Sequence, residues 1–354
     1  MIKNEYTVIG VMSGTSLDGI DLALINFNLD ISWTYKLIKA ETIAYTEEWI
    51  DKLKTLVNFS KKELKPLDVD YSLYLVEVID SFIKRNNILE IDAICSHGHT
   101  ALHEPENRLT YQIGNLPILH KVLNKTIVCN FRIQDVALGG QGAPLVPIGD
   151  ALLFSNYNYC VNLGGFANVS TQINGKRIAF DICPANIVLN NYVSKLGFAY
   201  DNKGKLAQEG ELDNNLLKEL NNLDFYKASY PKSLGLEWVN QIIFPLIERY
   251  NLSIKDVLRT FVEHIAIQIS KVLNKQQKAS VLVSGGGVFN VFLMERIKDL
   301  SHTNIKTPTT EIIEFKEALV FGFLGVLKLR NENNCLASVT GAKKDHSSGV
   351  IFSS

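Results

Sequence analysis

The stretch YTVIGVMSGTSLDGIDLALINF, residues 6–27, decides the fold. Its apolar runs at 6–12 and 21–27 are separated by SGTSLDGI, in which Gly, Ser and Asp favour a polar turn. Two such runs joined by turn residues are typical of antiparallel strands. A further strand at about 34–44 would extend the sheet. We therefore expect the chain to open with a β-hairpin whose connection is polar and has a flexible backbone.

The same order of elements returns later in the chain. YCVNLGGFANVSTQI (159–173) predicts a strand, a glycine turn and a strand, and RIAFD (177–181) predicts a third. Helical patterns alternate with two more apolar segments, ASVLVS (279–284) and EIIEF (311–315), which we interpret as strands. Strands alternating with helices predict an α/β architecture. Two halves that each open with a hairpin predict a duplicated fold.

The composition limits the functional class. A chain of 354 residues suits two domains, and a formal net charge of -1 gives no long-range attraction to nucleic acid or anionic lipid. We expect neither a secretory signal at the N-terminus nor a membrane-spanning segment. The five cysteines are scattered without C-x-x-C spacing, which favours free thiols in a reducing compartment. The sequence therefore predicts a cytoplasmic protein.

The hairpin turn carries the first candidate chemistry. Gly14 and Gly19 permit close backbone approach to a ligand, and Ser13, Thr15 and Ser16 offer hydroxyl groups. The neighbouring carboxylates, Asp18 and Asp21, could hold magnesium through water. This combination suits phosphate binding, although turn composition alone also fits an ordinary polar hairpin.

Two more segments lie where α/β proteins place ligands. Ser284 is followed by three glycines, Gly285 to Gly287, between a strand and a helix, where a base or phosphate could contact bare backbone. The alternative interpretation of these glycines is that they form a tight strand-to-helix turn without a ligand. Asp181 ends a predicted strand in FDICPAN and could act as a general base, or it could cap the following helix.

Three histidines fall within seven residues. His97 and His99 are two positions apart, which on a strand places both side chains on one face, and His103 follows. That spacing permits a metal site, but no carboxylate or cysteine is evidently spaced with them. Histidine also donates hydrogen bonds to sugar hydroxyls, and we favour this second interpretation.

Together these segments resemble one family closely, the anhydro-N-acetylmuramic acid kinases of the actin-like ATPase superfamily. The resemblance extends in order over nearly the whole chain. Its most specific segments are GVMSGTSLDGIDLAL (10–24), SHGHTALHEP (96–105), FRIQDVALGGQGAPLVP (131–147), NLGGFANVS (162–170), FDICPAN (180–186), PKSLGLEW (231–238), SGGGVFN (284–290) and SVTGAKKD (338–345).

The resemblance implies a fold and a reaction. The fold would be a two-domain actin-like ATPase (ribonuclease H-like) α/β fold, with mixed sheets flanked by helices and an inter-domain cleft. The first domain would comprise 1–128 plus about 325–354, and the second 129–324. The enzyme would open the 1,6-anhydro ring with water and phosphorylate O6 using ATP and magnesium. It would act as a homodimer on this small-molecule substrate, in peptidoglycan recycling.

The resemblance also assigns residues to roles. Asp181 would be the catalytic base and Asp18 the magnesium-linked carboxylate. The residues expected to bind nucleotide are Gly10, Ser13, Gly14, Thr15, Ser16, Asp18, Gly19, Asp21, Gly164, Gly165, Asn168, Gly285, Gly286, Gly287 and Asn290. The residues expected to face the sugar are His97, His99, His103, Arg132, Asp135 and Glu317.

Three positions depart from the family pattern. The family usually has Thr-Gly where Ile182 and Cys183 stand, Asp where Asn190 stands, and Gln where His99 stands. Cys183 adds a side chain beside the expected base, so a kinase for a different sugar or anhydrosugar is the first alternative. A catalytically silent protein that binds nucleotide or sugar is the second. Retention of Asp18, Asp21 and Asp181 argues against the silent protein, because a pure binder needs no base.

Overall fold

The computed structural model describes residues 2–14 and 17–353. Its strands are β1 Glu5–Ser13, β2 Ile20–Leu29, β3 Trp33–Ile43, β4 Ala93–Ser96, β5 His99–Glu104, β6 Leu109–Ile113, β7 Ile127–Cys129, β8 Tyr159–Leu163, β9 Phe166–Ile173, β10 Lys176–Pro184, β11 Ser280–Ser284, β12 Asn304–Lys306 and β13 Val350–Phe352. Its α-helices are α1 Glu47–Lys54, α2 Lys61–Arg85, α3 Ile118–Leu123, α4 Ile133–Ala137, α5 Val146–Leu153, α6 Asn186–Ser194, α7 Lys205–Glu209, α8 Asn214–Asn221, α9 Leu236–Trp238, α10 Phe244–Glu248, α11 Ile254–Leu273, α12 Val291–Leu300, α13 Thr310–Leu329 and α14 Ala337–Thr340.

The first sheet has the order β13-β7-β4-β1-β2-β3. The central strand β2 runs antiparallel to both β1 and β3, whereas β4 is parallel to β1 and β7 is parallel to β4. Alternate side chains of β1 and β2, including Ile9 and Leu22, are buried in a core with α1 and α2. The other face receives α13, whose Ala318 carbonyl comes so close to Gly10 that a Cβ there would lie 2.0 Å away.

The second sheet has the order β10-β9-β8-β11-β12. Here too the first three strands are antiparallel, and β11 is parallel to both β8 and β12. One face packs against helices that include α6, α11 and α12, with Val161 and Val283 in this core.

The two sheets therefore share one five-strand topology, three antiparallel strands followed by two parallel ones, which is the ribonuclease H-like order. The predicted duplication is confirmed, and so is the α/β class with mixed sheets flanked by helices. A duplicated sheet matters for function because each copy presents its own hairpin connection and its own strand ends.

The chain packs into two compact units. Unit 1 contains Met1–Leu153 and Phe315–Ser354, and unit 2 contains Phe154–Glu314. These limits differ from the predicted domains by residues 129–153 and 315–324, and the predicted domain limits and cleft stay predictions. Within residues 2–14 and 17–353, no helix combines the length and apolarity needed to cross a membrane.

One predicted strand is wrong. Residues 311–315, EIIEF, are helical and form the first turns of α13, with a kink at Phe315 (φ -108°, ψ 15°). Short apolar runs do not distinguish strand from helix by periodicity alone. The kink falls where the two units are divided, so one helix contributes to both.

Candidate functional site

In unit 1 the hairpin connection spans the residues between Ser13 and Ile20. Thr15 and Ser16, which we expected to bind phosphate, lie outside the described residues. Asp18 is exposed to solvent. Asp21 lies on β2, where its Oδ1 accepts a hydrogen bond from Thr42 Oγ1 at 2.6 Å. The two carboxylates therefore differ, since Asp18 lies in the connection and Asp21 is tied to the neighbouring strand.

Two glycines that were expected to bind nucleotide, Gly10 and Gly19, have packing roles in this structure. Gly10 is buried beneath α13, and any side chain there would collide with the Ala318 carbonyl. A Cβ at Gly19 would lie 2.5 Å from the carbonyl oxygen of Ile43. Both positions require glycine because a backbone carbonyl of another element approaches closely, and this packing explains the two glycines without a ligand. Gly14 is partly exposed within the connection.

Ser13 belongs to a buried chain of hydrogen bonds. Its Oγ lies 2.6 Å from His99 Nδ1 and 2.6 Å from Tyr45 Oη, which in turn lies 2.6 Å from Tyr71 Oη. Burial lowers the pKa of His99 to about 4, so the ring is neutral at pH 7. Ser13 and His99 therefore stabilise the end of β1. The sequence predicted that both would contact a ligand, but in this structure both side chains are buried.

His97 fixes an arginine. Arg132 Nε donates to His97 Nε2 at 2.8 Å, and His97 Nδ1 lies 2.8 Å from the Gly98 carbonyl oxygen. The proton therefore sits on Nδ1, and burial together with nearby Arg132 holds the pKa of His97 well below its usual value. Arg132 also donates through Nη1 to the carbonyl of Gly142 at 2.7 Å. His97 is thus a positioning residue for Arg132.

Arg132 is only partly buried and lies beside α13. Its guanidinium stands 5.8 Å from the ring centre of Phe321, which also contacts the His97 ring at 4.6 Å. Glu317, one turn earlier on the same helix, is exposed and attracts the guanidinium electrostatically. Burial among its neighbours raises the pKa of the Glu317 carboxyl, against the opposing charges of Arg132 and Lys316. Arg132 and Glu317 are the predicted sugar-binding residues of unit 1 that pair opposite charges and keep access to solvent.

Asp135 is fully buried, and its role differs from the predicted one. Its Oδ2 accepts from the Gly142 amide at 2.7 Å, and its Oδ1 accepts from Thr340 Oγ1 at 2.7 Å. A carboxylate with no exposed surface cannot contact a sugar, so Asp135 holds the loop that contains Gly142. His103 is exposed, and its Nδ1 lies 3.1 Å from Thr110 Oγ1.

In unit 2, four polar residues form a row across the sheet. Asp181 on β10 is paired with Asn168 on β9, Asn168 with Asn162 on β8, and Asn162 with Ser284 on β11. Directly paired residues point to the same face of a sheet. That face lies opposite the apolar core that contains Val161. The row places one carboxylate and two amides side by side near the ends of β8 and β11.

A distant loop closes on Asp181. The Leu234 amide donates to Asp181 Oδ2 at 2.8 Å, and the Asp181 amide donates to the Lys232 carbonyl at 3.1 Å. Burial raises the pKa of the Asp181 carboxyl above its ordinary value, while the Leu234 hydrogen bond and the Lys232 charge oppose that shift. A partly desolvated carboxylate of this kind can accept a proton from water.

The alternative role as a helix cap is wrong for Asp181. The N-cap of α6 is Ala185, and no side chain caps this helix. Instead the amides of Ala185 and Ile187 donate to the Gly165 carbonyl at 2.8 Å and 3.1 Å. The turn between β8 and β9 thereby accepts hydrogen bonds from the first amides of α6, so Asp181 is not needed to cap this helix.

The glycine turns of unit 2 lie against one another. Gly285 has φ +86°, and a Cβ there would lie 2.4 Å from Asn162 Oδ1, while a Cβ on Gly287 would lie 2.7 Å from Leu163 Cβ. These two glycines are required by packing against the strand end that leads into Gly164 and Gly165. Gly286 is exposed, and a Cβ added there would meet no atom within 4 Å. Gly286 is thus the glycine of the three that leaves open space for a ligand.

Asn290 has a structural role. Its Oδ1 accepts from the Leu293 amide at 3.0 Å and caps α12, an interaction typically worth about 1 kcal/mol. Its side chain also packs against Gly204, where a Cβ would lie 2.2 Å from the same oxygen. The expected nucleotide contact is therefore not evident in this arrangement.

Two departures from the family pattern in unit 2, Cys183 and Asn190, do not share the face of the Asp181 carboxylate. A β-bulge between Asp181 and Cys183 turns Cys183 into the apolar core, where its side chain is fully buried. Asn190 is exposed on α6. Neither side chain joins the polar row, which removes the main reason to expect a reshaped pocket.

Several contributors were missed by the sequence analysis. Asn162 and the Leu234 amide complete the surroundings of Asp181, and Tyr45 completes the network of Ser13. The segment PKSLGLEW (231–238) could have indicated the role of Leu234. It resembles the family but contains no evident catalytic side chain, which favours a contribution from its backbone.

Comparison with known proteins gives a consistent result. A family model described as anhydro-N-acetylmuramic acid kinase matches residues 6–354. A protein of Haemophilus influenzae named anhydro-N-acetylmuramic acid kinase is 35% identical and aligns over 99% of this chain and 98% of its own length. A namesake from Mannheimia succiniciproducens is also 35% identical, over 99% of this chain and 100% of its own.

Solved structures give a weaker likeness. The activator of 2-hydroxyisocaproyl-CoA dehydratase from Clostridium difficile with bound ADPNP aligns over 92% of this chain and 96% of its own, with 13% identity and a TM-score of 0.45.

Proposed function

This chain belongs to the anhydro-N-acetylmuramic acid kinase family and is a kinase, and on that premise we propose the full reaction. The enzyme opens the 1,6-anhydro ring of anhydro-N-acetylmuramic acid with water and transfers the γ-phosphoryl group of ATP to O6. The product is N-acetylmuramic acid 6-phosphate, formed in the cytoplasm during cell-wall recycling. The names of the relatives support this substrate.

The observation that carries the proposal is the carboxylate of Asp181 in its polar row. Asp181 takes a proton from water while the water oxygen bonds to C1 of the sugar, and the C1–O6 bond breaks. The electron pair of that bond remains on O6, which then bonds to the γ-phosphorus as ADP leaves. Asp181 afterwards returns its proton to solvent. The raised pKa of the Asp181 carboxyl supports this role, because it brings the base closer to the working pH.

The neighbours of Asp181 have orienting roles in this proposal. The Leu234 amide fixes one carboxylate oxygen, and Asn168 stands directly beside the base on the neighbouring strand. In unit 1, Arg132 and Glu317 bind polar groups of the sugar. His97 holds Arg132 in place by accepting its Nε hydrogen.

The residues present fit ATP and magnesium. Asp18 offers an exposed carboxylate, the hard oxygen donor that magnesium prefers, in a connection that contains Gly14. Gly286 offers exposed backbone with open space around it, as a flat base requires. Magnesium, when bound, neutralises charge on the β- and γ-phosphates of ATP. The homodimer and its interface stay predictions.

The direct test is product analysis. Purified protein is incubated with magnesium-ATP and the anhydro sugar, and the product is identified by mass spectrometry and NMR. We expect a product that has gained one water and one phosphoryl group, with phosphorus on O6. The matched control is N-acetylmuramic acid, which has no anhydro ring.

The alternatives predict other outcomes. A kinase for a different sugar leaves the anhydro sugar unchanged but phosphorylates another sugar in a panel. A silent binder gives no product from any sugar while it still binds ATP. Either result would contradict the proposed reaction.

A further inference from the structure

Three residues with metal-binding side chains meet in the interior of unit 1. Asp135 lies on α4, while Cys335 and His346 lie in the C-terminal segment. Backbone pairing brings the last two together, because the amide of each donates to the carbonyl of the other at 3.1 Å. All three side chains are buried, and their ligand atoms lie within 4.8 Å of one another.

The orientation of His346 is the second observation. Its Nδ1 lies 3.0 Å from the Lys344 carbonyl oxygen, so Nδ1 carries the proton and donates. Its Nε2 faces Asp135 Oδ1 at 3.6 Å, is buried, and has no hydrogen-bond partner among the described residues. A buried nitrogen lone pair without a donor is costly, and it is aimed at a carboxylate oxygen, which is also an acceptor.

We propose that Asp135, Cys335 and His346 bind a zinc ion. Thiolate, imidazole and carboxylate are the ligand types that zinc takes in proteins. An imidazole held by an Nδ1–H bond to a backbone carbonyl is the usual orientation of a zinc ligand. On binding, the Cys335 thiol releases its proton to solvent, and Sγ, Nε2 and a carboxylate oxygen coordinate the ion. Two negative ligands then balance the double charge of the ion, so the buried site becomes neutral.

The site would hold two parts of unit 1 together. Asp135 also accepts from the Gly142 amide, and the Gly142 carbonyl accepts from Arg132. The ion would therefore link the C-terminal segment to the loop that positions Arg132. This inference concerns a structural metal and does not rest on the proposed function.

The test uses the full-length protein. Protein stripped with a chelator is loaded with zinc, dialysed, and its metal content is measured by plasma mass spectrometry. We expect about one zinc per chain, with affinity lost in Cys335→Ser and His346→Gln. Cys160→Ser and His302→Ala are the matched controls, because they change the same residue types outside the cluster and should keep the metal.

Cobalt loading of the wild-type protein gives a second readout that needs no variant. Thiolate ligation produces a sulfur-to-cobalt charge-transfer band, and tetrahedral coordination produces intense visible bands. If stripped wild-type protein retains no zinc after loading and shows no thiolate band with cobalt, the cluster is held only by the hydrogen bonds that Cys335 Sγ and Thr340 Oγ1 donate to Asp135 Oδ1, and the proposal is wrong. Equal zinc content in wild type and Cys335→Ser, both folded by circular dichroism, would also overturn it.

Discussion

The two sheets share one topology but place their acids differently. At the corresponding level of each sheet, unit 1 aligns Met12, Asp21 and Thr42 across its first three strands, and unit 2 aligns Asn162, Asn168 and Asp181. The carboxylate lies on the second strand in unit 1 and on the third strand in unit 2.

The surroundings of the two acids differ as well. Thr42 on the adjacent strand donates to Asp21, whereas an amide from a remote loop donates to Asp181. The hairpin connection of unit 1 is also longer than the two-residue glycine turn of unit 2, and it carries Asp18. One topology can therefore serve two kinds of chemistry, because function depends on which strand carries the acid and what closes over it.

The largest effect that would test this contrast is expected for Asp181→Asn. Asparagine can still accept from the Leu234 amide, so the fold should persist, but it cannot take a proton from water. Loss of a general base costs roughly 10²–10⁴-fold in rate, and we expect kcat with the anhydro sugar to fall by that factor. Steady-state kinetics measures the change, with Asp224→Asn, an exposed acid of the same unit, as the control.

Nucleotide affinity separates a lost base from a damaged fold. ATP binding and the melting temperature of Asp181→Asn should match the parent protein. A variant that phosphorylates the sugar at near the parent rate would show that the base lies elsewhere, and the contrast between the two sheets would lose its chemical meaning.

The sequence predicted the position of Asp181 but not its surroundings. Alternating apolar residues and a glycine turn were enough to locate β8, β9 and β10. The loop that contains Leu234 lies 53 residues from Asp181 along the chain, and only the folded backbone brings its amide to the carboxylate. Long-range contacts of this kind leave no local periodicity to detect.

For the glycines, the sequence predicted ligand contacts at positions where the structure shows packing contacts. Gly19 was assigned to a ligand because glycine permits close approach, and Gly10 was assigned through the family resemblance, but the groups that approach them are the backbone of β3 and of α13. A glycine beneath a helix and a glycine beneath a phosphate look identical in sequence. Gly286 is the contrasting case, since no atom of residues 2–14 and 17–353 lies within 4 Å of a Cβ built there.

The second prediction addresses the longer connection of unit 1. Asp18 is exposed, so Asp18→Asn should leave the melting temperature unchanged. Removing a carboxylate that orients a metal through water typically costs about 10–100-fold in metal affinity. We therefore expect the magnesium concentration needed for ATP binding to rise by that factor. Calorimetric titration of ATP at several magnesium concentrations measures it.

Asp30→Asn is the matched control for Asp18→Asn, because Asp30 is an exposed acid just beyond the other end of β2. It should leave the magnesium dependence unchanged. Unaltered ATP affinity in Asp18→Asn with magnesium present would count against its role, and would leave the hairpin connection of unit 1 as an ordinary polar turn.

The smallest expected effect concerns how the remote loop tunes Asp181. The Lys232 charge lowers the pKa of the Asp181 carboxyl, against the upward shift caused by burial. Lys232→Met removes that charge and should raise the pKa further. Because the base must be ionised to accept a proton, the acid limb of kcat/KM should move to higher pH. Lys232 is only half-buried, so the shift should stay below about one pH unit.

The control for this variant is Lys298→Met, which removes an exposed lysine on α12 and should not move the acid limb. A limb that moves to lower pH, or an Asp181→Asn variant with the same acid limb as the parent, would show that another group titrates.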